Sequence, residues 1–194
     1  MIQLHQVGKH FGGVEVLPPT SLCVYAGECL CLTGPSGCGK TTLLEIAAGL
    51  IQSDGGGRVE LGSERVACAF QDDVLIPWLD AQANITFALP GKARGHADTA
   101  HHWLQRFGLA PISMPPAMSG GMRRRLNLAR AFASGPQVLF LDEPFAFLDP
   151  GWQTVLAALL HEALDKGTAI LMVSHQLRVL EQSLPGLEYR YLEP

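Results

Sequence analysis

Short apolar runs of strand length alternate along the chain with stretches that repeat apolar residues at helical spacing. Strands are predicted at 2–7, 21–25, 28–33, 58–61, 65–70, 138–141, 168–173 and 187–192. Helices are predicted at 40–50, 97–107, 119–133, 150–164 and 176–184. Because strands and helices alternate, the pattern predicts an α/β fold with a mainly parallel sheet covered on both faces. The runs on either side of Gly62-Ser63 are predicted to form a strand pair.

Prolines interrupt the chain repeatedly between residues 72 and 118. They are Pro77, Pro90, Pro111, Pro115 and Pro116. Short helical pieces lie between them, and Ser119 is suited to cap the helix that follows. We therefore expect a single domain over 1–194, with a core formed by 1–71 and 134–194 and an inserted helical lobe at 72–133.

The composition narrows the class of protein. Only 16% of the 194 residues are charged and the net charge is −4, so the chain lacks the basic footprint of a nucleic-acid-binding domain. Mean hydropathy is +0.17, yet no apolar run reaches the roughly 18 residues of a membrane span, and no signal peptide is visible. The five cysteines lack CxxC spacing, and Cys29 and Cys31 alternate as small core residues. We expect reduced thiols and a cytosolic protein.

One glycine-rich turn carries a strong phosphate-binding pattern. The eight residues that match GxxxxGK[ST] are Gly34, Pro35, Ser36, Gly37, Cys38, Gly39, Lys40 and Thr41. Backbone N–H groups of such a loop cradle a polyphosphate at a helix start, where bulky side chains would block them. Lys40 would pair with the β- and γ-phosphates and the Thr41 hydroxyl would ligate Mg²⁺; Thr42 completes the candidate nucleotide-binding set.

A second candidate site follows the apolar strand at 138–141. Asp142 and Glu143 end this strand, and a carboxylate placed there in a phosphate-loop protein lies near the magnesium ion. Asp142 is the candidate metal ligand, and Glu143 is the candidate base that polarises water. A small-molecule kinase would instead need a phosphate acceptor at this point.

The turn Ser119-Gly120-Gly121 opens a helix and forms a second potential anion site. Its separation from the phosphate loop suggests that it serves the nucleotide of another copy of the chain. With this turn, the motifs over nearly the whole chain resemble the ATP-binding cassette ATPase family: residues 34–41 match Walker A, 141–144 match Walker B and 119–121 match the signature motif. Met122 stands where the family's signature usually has glutamine, which removes a polar contact.

The resemblance implies a RecA-like P-loop NTPase core with an antiparallel β subdomain near its start and a helical subdomain. It also implies roles for single residues. Gln71 resembles the glutamine that senses Mg²⁺ and water, His175 the switch histidine that contacts the γ-phosphate, and Asp149 the D-loop aspartate that crosses the dimer. Phe11 fits the aromatic residue that stacks on adenine.

Ile76-Pro77-Trp78, and Asn84-Ile85 a few residues later, resemble the nitrate, sulfonate and taurine importer branch. The resemblance implies an ATP-hydrolysing subunit on the cytoplasmic face of the membrane, with ATP and Mg²⁺ as cofactors. It implies a head-to-tail homodimer that sandwiches ATP, transmembrane permease subunits and, indirectly, a solute-binding protein. Efflux and lipoprotein-release ATPases remain alternatives, and the sequence does not specify the solute. Only 19 residues follow His175, so no regulatory domain is expected there.

Two further clusters are not interpreted as sites. His101 and His102 are adjacent on a predicted helix and face different directions, which disfavours a metal site with His96. The run 123–125 consists of three arginines, and on an acidic chain we expect them to form local ion pairs rather than to bind nucleic acid.

Overall fold

Two β-sheets organise the computed structural model, which describes residues 1–91, 94–176, 180 and 187–192. The strands are β1 (Ile2–Phe11), β2 (Val14–Val24), β3 (Cys29–Thr33), β4 (Arg58–Leu61), β5 (Val66–Ala69), β6 (Val138–Asp142), β7 (Ala169–Val173) and β8 (Glu188–Tyr191). The helices are α1 (Lys40–Ala47), α2 (Ala81–Ala88), α3 (His96–Arg106), α4 (Gly120–Ala133) and α5 (Pro150–Asp165), with a 3₁₀ turn at Pro115–Ala117. Most of the helix predicted at 176–184 lies outside the described residues.

The larger sheet has the strand order β5-β6-β7-β3-β8, and every pairing in it is parallel. Strands β3, β6 and β7 are buried at every position. This confirms the α/β prediction of a parallel sheet covered on both faces. Cys29 and Cys31 lie in the core, as expected. Because parallel strands end at the same edge, the segments that follow β3, β5, β6 and β7 meet there.

The smaller sheet is antiparallel, in the order β2-β1-β4. Strands β1 and β2 are longer than predicted and join through Gly12-Gly13. Pro18 and Pro19 obscured β2 in the sequence, and they are tolerated because β2 is an edge strand. The predicted pairing of 58–61 with 65–70 is wrong. Strand β4 pairs with β1, and β5 pairs with β6, because β4 exposes alternate polar residues whereas β5 carries small apolar residues into the parallel sheet.

The two faces of the parallel sheet support two apolar clusters. On one face Leu139, Leu141 and Met172 pack toward helices α4 and α5. On the other, Phe140 and Leu171 pack toward α1 and the antiparallel sheet. Helices α2, α3 and α4 contact one another. Among the described residues, no helix combines the length and apolarity that a membrane span requires.

Candidate functional site

The carboxyl edge of the parallel sheet carries a cavity of about 560 Å³. It brings together ten of the candidate residues from four separate segments of the chain. They are Ser36, Gly37, Gly39, Lys40, Thr41, Thr42, Gln71, Asp142, Glu143 and His175. Val16, Ala146 and Val173 also line this cavity, and the sequence analysis did not single them out, because short apolar side chains carry no chemical signal.

The shape of the phosphate loop depends on its glycines. Gly39 precedes α1 with φ +87°, and a Cβ atom there would lie 2.6 Å from the Val16 carbonyl oxygen. Gly34 has φ +140°, and its Cβ atom would lie 2.4 Å from the Leu192 carbonyl oxygen. Larger residues are therefore excluded by both backbone conformation and space. Pro35 and Cys38 belong to the loop but do not line the cavity.

Lys40 is the buried cation of the loop. Its Nζ atom donates to the carbonyl oxygens of Gly34 at 2.9 Å and Pro35 at 2.7 Å, and only 5% of the residue is exposed. The ammonium group thus lies inside the loop, close to where anionic oxygens would be cradled.

Thr41 and Asp142 place two hard oxygen donors together. The Thr41 hydroxyl donates to Asp142 Oδ2 at 3.0 Å. Burial raises the pKa of Asp142, although the Thr41 hydrogen bond and the charge of Arg124 act in the opposite direction. A buried carboxylate with an adjacent hydroxyl is a donor set that suits Mg²⁺, so the residues present fit that ion.

Glu143 has the geometry of a positioned base. Its backbone adopts φ +48°, and its Oε2 atom accepts hydrogen bonds from the His175 backbone N–H at 3.3 Å and the Ser174 hydroxyl at 3.4 Å. The Oε1 atom is buried without a hydrogen-bond partner among the described residues, 3.6 Å from His175 Nε2. Burial raises the pKa of Glu143, and the His175 N–H partly opposes this. A raised pKa favours proton acceptance near neutrality.

Phe11 lies apart from this cavity. It ends β1, is 49% exposed and has Lys9 Nζ 5.7 Å from its ring centroid, but it is not among the lining residues. The stacking of Phe11 on adenine therefore stays a prediction.

The signature residues form a second, separate cavity of about 210 Å³. Ser119 and Gly121 line it together with Asp149 and the exposed Phe147, and Gly120 begins α4. The predicted cap is confirmed, since Ser119 Oγ accepts from Met122 N at 3.2 Å. Asp149 caps α5 in the same way.

The arginine run behaves differently from the expectation of local ion pairs. Arg123 donates to the Met118 carbonyl, and Arg125 donates to the Phe107 carbonyl. Arg124 is fully buried and forms an ion pair with the distant Asp73. The sequence contains a signal for this burial, because Arg124 shares one helical face with the apolar residues four and seven positions later.

Comparisons with known proteins agree with this geometry. The ABC transporter family profile matches residues 17–146. The taurine import ATP-binding protein TauB of Escherichia coli O157:H7 is 35% identical over 193 residues, covering 91% of this chain and 74% of that protein. The aliphatic sulfonates import ATP-binding protein SsuB 1 of Xanthomonas axonopodis pv. citri is 39% identical over 191 residues, covering 91% and 75%.

Comparison with solved structures also identifies an ATP-binding cassette. The post-hydrolysis dimer of the ATP-binding cassette MJ0796 bound to ADP and Pi superposes with a TM-score of 0.88 at 26% identity, covering 100% of this chain and 94% of that chain. The profile match spans more than half of the chain, and the sulfonate-importer relatives exceed 30% identity. The chain therefore belongs to the ABC transporter family and is an ATP-hydrolysing cassette of that family.

Proposed function

We propose that this chain drives the import of a taurine-like or aliphatic sulfonate solute by binding and hydrolysing ATP beneath separate permease subunits. The observation that carries the chemistry is the shared cavity, in which the Lys40 ammonium, the Thr41–Asp142 pair and the Glu143–His175 pair lie together. The solute class rests on the relatives, whose names specify taurine and aliphatic sulfonate import.

The hydrolytic step follows from these positions. Glu143 takes a proton from a water molecule as the water oxygen bonds to the γ-phosphorus. The bond from the γ-phosphorus to the bridging oxygen breaks, the electron pair stays on ADP, and Glu143 then releases its proton to solvent. Lys40 and His175 stabilise charge on the phosphate oxygens. Mg²⁺, held by Thr41 and Asp142 with Gln71 nearby, would neutralise charge on the β- and γ-phosphates.

The separation of the two cavities supports a dimer. Ser119, Gly121 and Asp149 line a pocket other than the one that holds Lys40, so one chain offers two half-sites for a sandwiched nucleotide. The similar cassette MJ0796 has been solved as a dimer. We propose that two copies pair head to tail and place each signature turn on the partner's nucleotide. Phe11, which does not line the phosphate cavity, would stack on the adenine of the bound nucleotide.

The permease contact is proposed for the segment that follows Gln71. Three large apolar side chains there are exposed: Val74 at 72%, Trp78 at 77% and Phe87 at 74%. Apolar surface of this kind is typical of an interaction site. This contact would hold the cassette on the cytoplasmic face of the membrane, with a solute-binding protein acting on the other side.

Paired variants test the assignment of the ATP site. Glu143→Gln should bind ATP, accumulate as a dimer in size-exclusion chromatography with light scattering, and release little phosphate; Glu64→Gln, an exposed carboxylate, is its control. Lys40→Ala should lose ATP affinity, whereas the exposed Lys166→Ala should not. Wild-type phosphate release from Glu143→Gln would refute the assignment of the base.

Uptake tests the assignment of the solute. Cells that depend on this chain and its permease should lose growth on taurine or an alkanesulfonate as sulfur source when they carry Glu143→Gln. Undiminished growth would contradict the import proposal. In an assay of the chain itself, transfer of phosphate to an acceptor other than water would indicate a kinase.

A further inference from the structure

The largest fully buried side chain described in the structure is a charged one, Arg124 of helix α4. Burying a guanidinium is costly unless its donors are satisfied. From α4, Arg124 reaches the end of β6 and donates to the carbonyls of Asp142 and Glu143, two residues that line the cavity. The contacts of Arg124 account for its burial.

Arg124 reaches two segments that carry candidate catalytic residues. Its Nη1 atom donates to the Phe70 carbonyl at 2.6 Å and to Asp73 Oδ1 at 3.3 Å, on either side of Gln71. Its Nη2 atom donates to the Asp142 carbonyl and to the Glu143 carbonyl, the latter at 2.8 Å. One planar group thus holds the backbone next to Gln71 and the backbone of Glu143 in a fixed relation.

A neighbouring side chain strengthens the first half of this contact. Asn127, one turn further along α4, donates from Nδ2 to Asp73 Oδ1 at 3.1 Å and to the Phe70 carbonyl at 3.3 Å. Asp73 is the ion-pair partner of Arg124 and has only 13% of its side chain exposed. The segment around Gln71 is therefore attached to α4 by two residues.

The hydrogen bonds of Arg124 to the end of β6 support a strained backbone at Glu143. Glu143 has φ +48°, a conformation that non-glycine residues rarely adopt and that needs support from its surroundings. The hydrogen bond from Arg124 to the Glu143 carbonyl supplies part of that support. Lysine could not replace it, because an ammonium is a point donor whereas the guanidinium fork reaches all four acceptors at once.

We propose that Arg124 is a positioning residue for ATP hydrolysis, which fixes the base Glu143 and the segment of Gln71 relative to each other. The proposal rests on the assignment of Glu143 as the base. Arg124 touches neither nucleotide nor water in this scheme, and it acts through the two backbones it holds. Because α4 begins at the signature turn, the same side chain ties that turn to the chain's own catalytic carboxylate.

The test compares kcat with KM. Arg124→Met keeps the volume of the side chain without its donors, and we expect kcat for phosphate release to fall about 100-fold while KM for ATP changes by less than about threefold. In Arg124→Lys, kcat should fall by the same factor, because lysine restores the charge but not the planar set of guanidinium donors. The exposed Arg58→Met is the matched control and should behave as wild type.

Asp73→Asn covers the case in which Arg124→Met does not fold. It keeps the shape of the loop while removing the charge partner, and kcat should fall about tenfold at an unchanged far-ultraviolet circular dichroism spectrum. A wild-type kcat in folded Arg124→Met, or in Asp73→Asn, would overturn the proposal. So would recovery of activity in Arg124→Lys, or a parallel loss of kcat and ATP affinity. Failure of Glu143→Gln to block hydrolysis would instead refute the base assignment itself.

Discussion

The buried amide of Asn84 offers a sharp test of how the segment after Gln71 is held in place. Asn84 lies in α2 and is completely buried. Its Oδ1 atom accepts from Ile76 N at 2.9 Å, and its Nδ2 atom donates to the carbonyls of Ile76 at 3.1 Å, Leu79 at 2.8 Å and Asp80 at 3.0 Å. Replacing it with alanine removes all four hydrogen bonds.

The expected loss of unfolding free energy depends on which backbone groups are left without a hydrogen bond. The carbonyls of Ile76 and Asp80 keep a second donor, since the backbone N–H groups of Leu79 and Asn84 also bond to them. The Ile76 N–H and the Leu79 carbonyl are affected most, at about 1–3 kcal/mol each. Alanine recovers roughly 0.6 kcal/mol through its higher helix propensity. We therefore expect Asn84→Ala to lower the free energy of unfolding by about 3 kcal/mol.

Urea unfolding followed by circular dichroism measures this loss. Gln82→Ala is the matched control, because Gln82 lies in the same helix and is partly exposed; it should change the free energy of unfolding by less than about 0.5 kcal/mol. Asn84→Asp keeps the acceptor but turns a carboxylate oxygen toward carbonyl oxygens, so it should be at least as destabilising as Asn84→Ala. A loss below about 1 kcal/mol in Asn84→Ala would refute the reasoning.

Three further predictions concern other parts of the molecule. Burial raises the pKa of Glu143, so ionising it costs stability above its ordinary pKa; Glu143→Gln should melt at a higher temperature than wild type at pH 8, and the difference should shrink toward pH 5. Burial also raises the pKa of Cys68 to about 11 and that of Cys31 to about 12; at pH 8 both should resist iodoacetamide until the chain is unfolded, and fast native labelling would contradict this. Arg106 pairs with Glu162 through two hydrogen bonds, and Arg106→Ala should cost about 1 kcal/mol in urea unfolding, less in high salt; an unchanged midpoint would exclude a role for the pair.

Local signals in the sequence predicted the parallel sheet and the starts of α1, α3, α4 and α5 well, whereas α2 was not among the predicted helices. Apolar runs identified β3, β6 and β7 because strands buried on both faces need no polar alternation. Ser119 marked the start of α4 because capping depends on one side chain and the next three residues. The glycine pattern of the phosphate loop located the cavity, since those glycines meet a local steric requirement.

Partners distant in sequence could not be predicted in the same way. Strands β4 and β5 are neighbours in the chain, yet they join different sheets because their partners are set by which face is buried. Asn84 was visible only as part of a family-like motif, and its buried role depends on a loop that begins eight residues earlier. The sequence analysis expected local ion pairs for the arginine run. Helical spacing is consistent with burial of Arg124, but no local signal identifies its partners, which are Asp73 and the carbonyls of Phe70, Asp142 and Glu143.

These buried polar groups divide the segment 70–84 between two anchors. Arg124 attaches its beginning to α4 and to the end of β6, whereas Asn84 attaches 76–80 to α2. Between the anchors the backbone is tightly turned, with Val74 N bonded to the Asp72 carbonyl at 2.9 Å and Leu75 N to the Asp73 carbonyl at 2.7 Å. The exposed Trp78 lies within the part held by Asn84. In the proposed complex, a permease that displaces Trp78 would move a segment held at both ends by hydrogen bonds. Because Arg124 bonds to both the Phe70 and the Glu143 carbonyls, this displacement would also shift the backbone of Glu143.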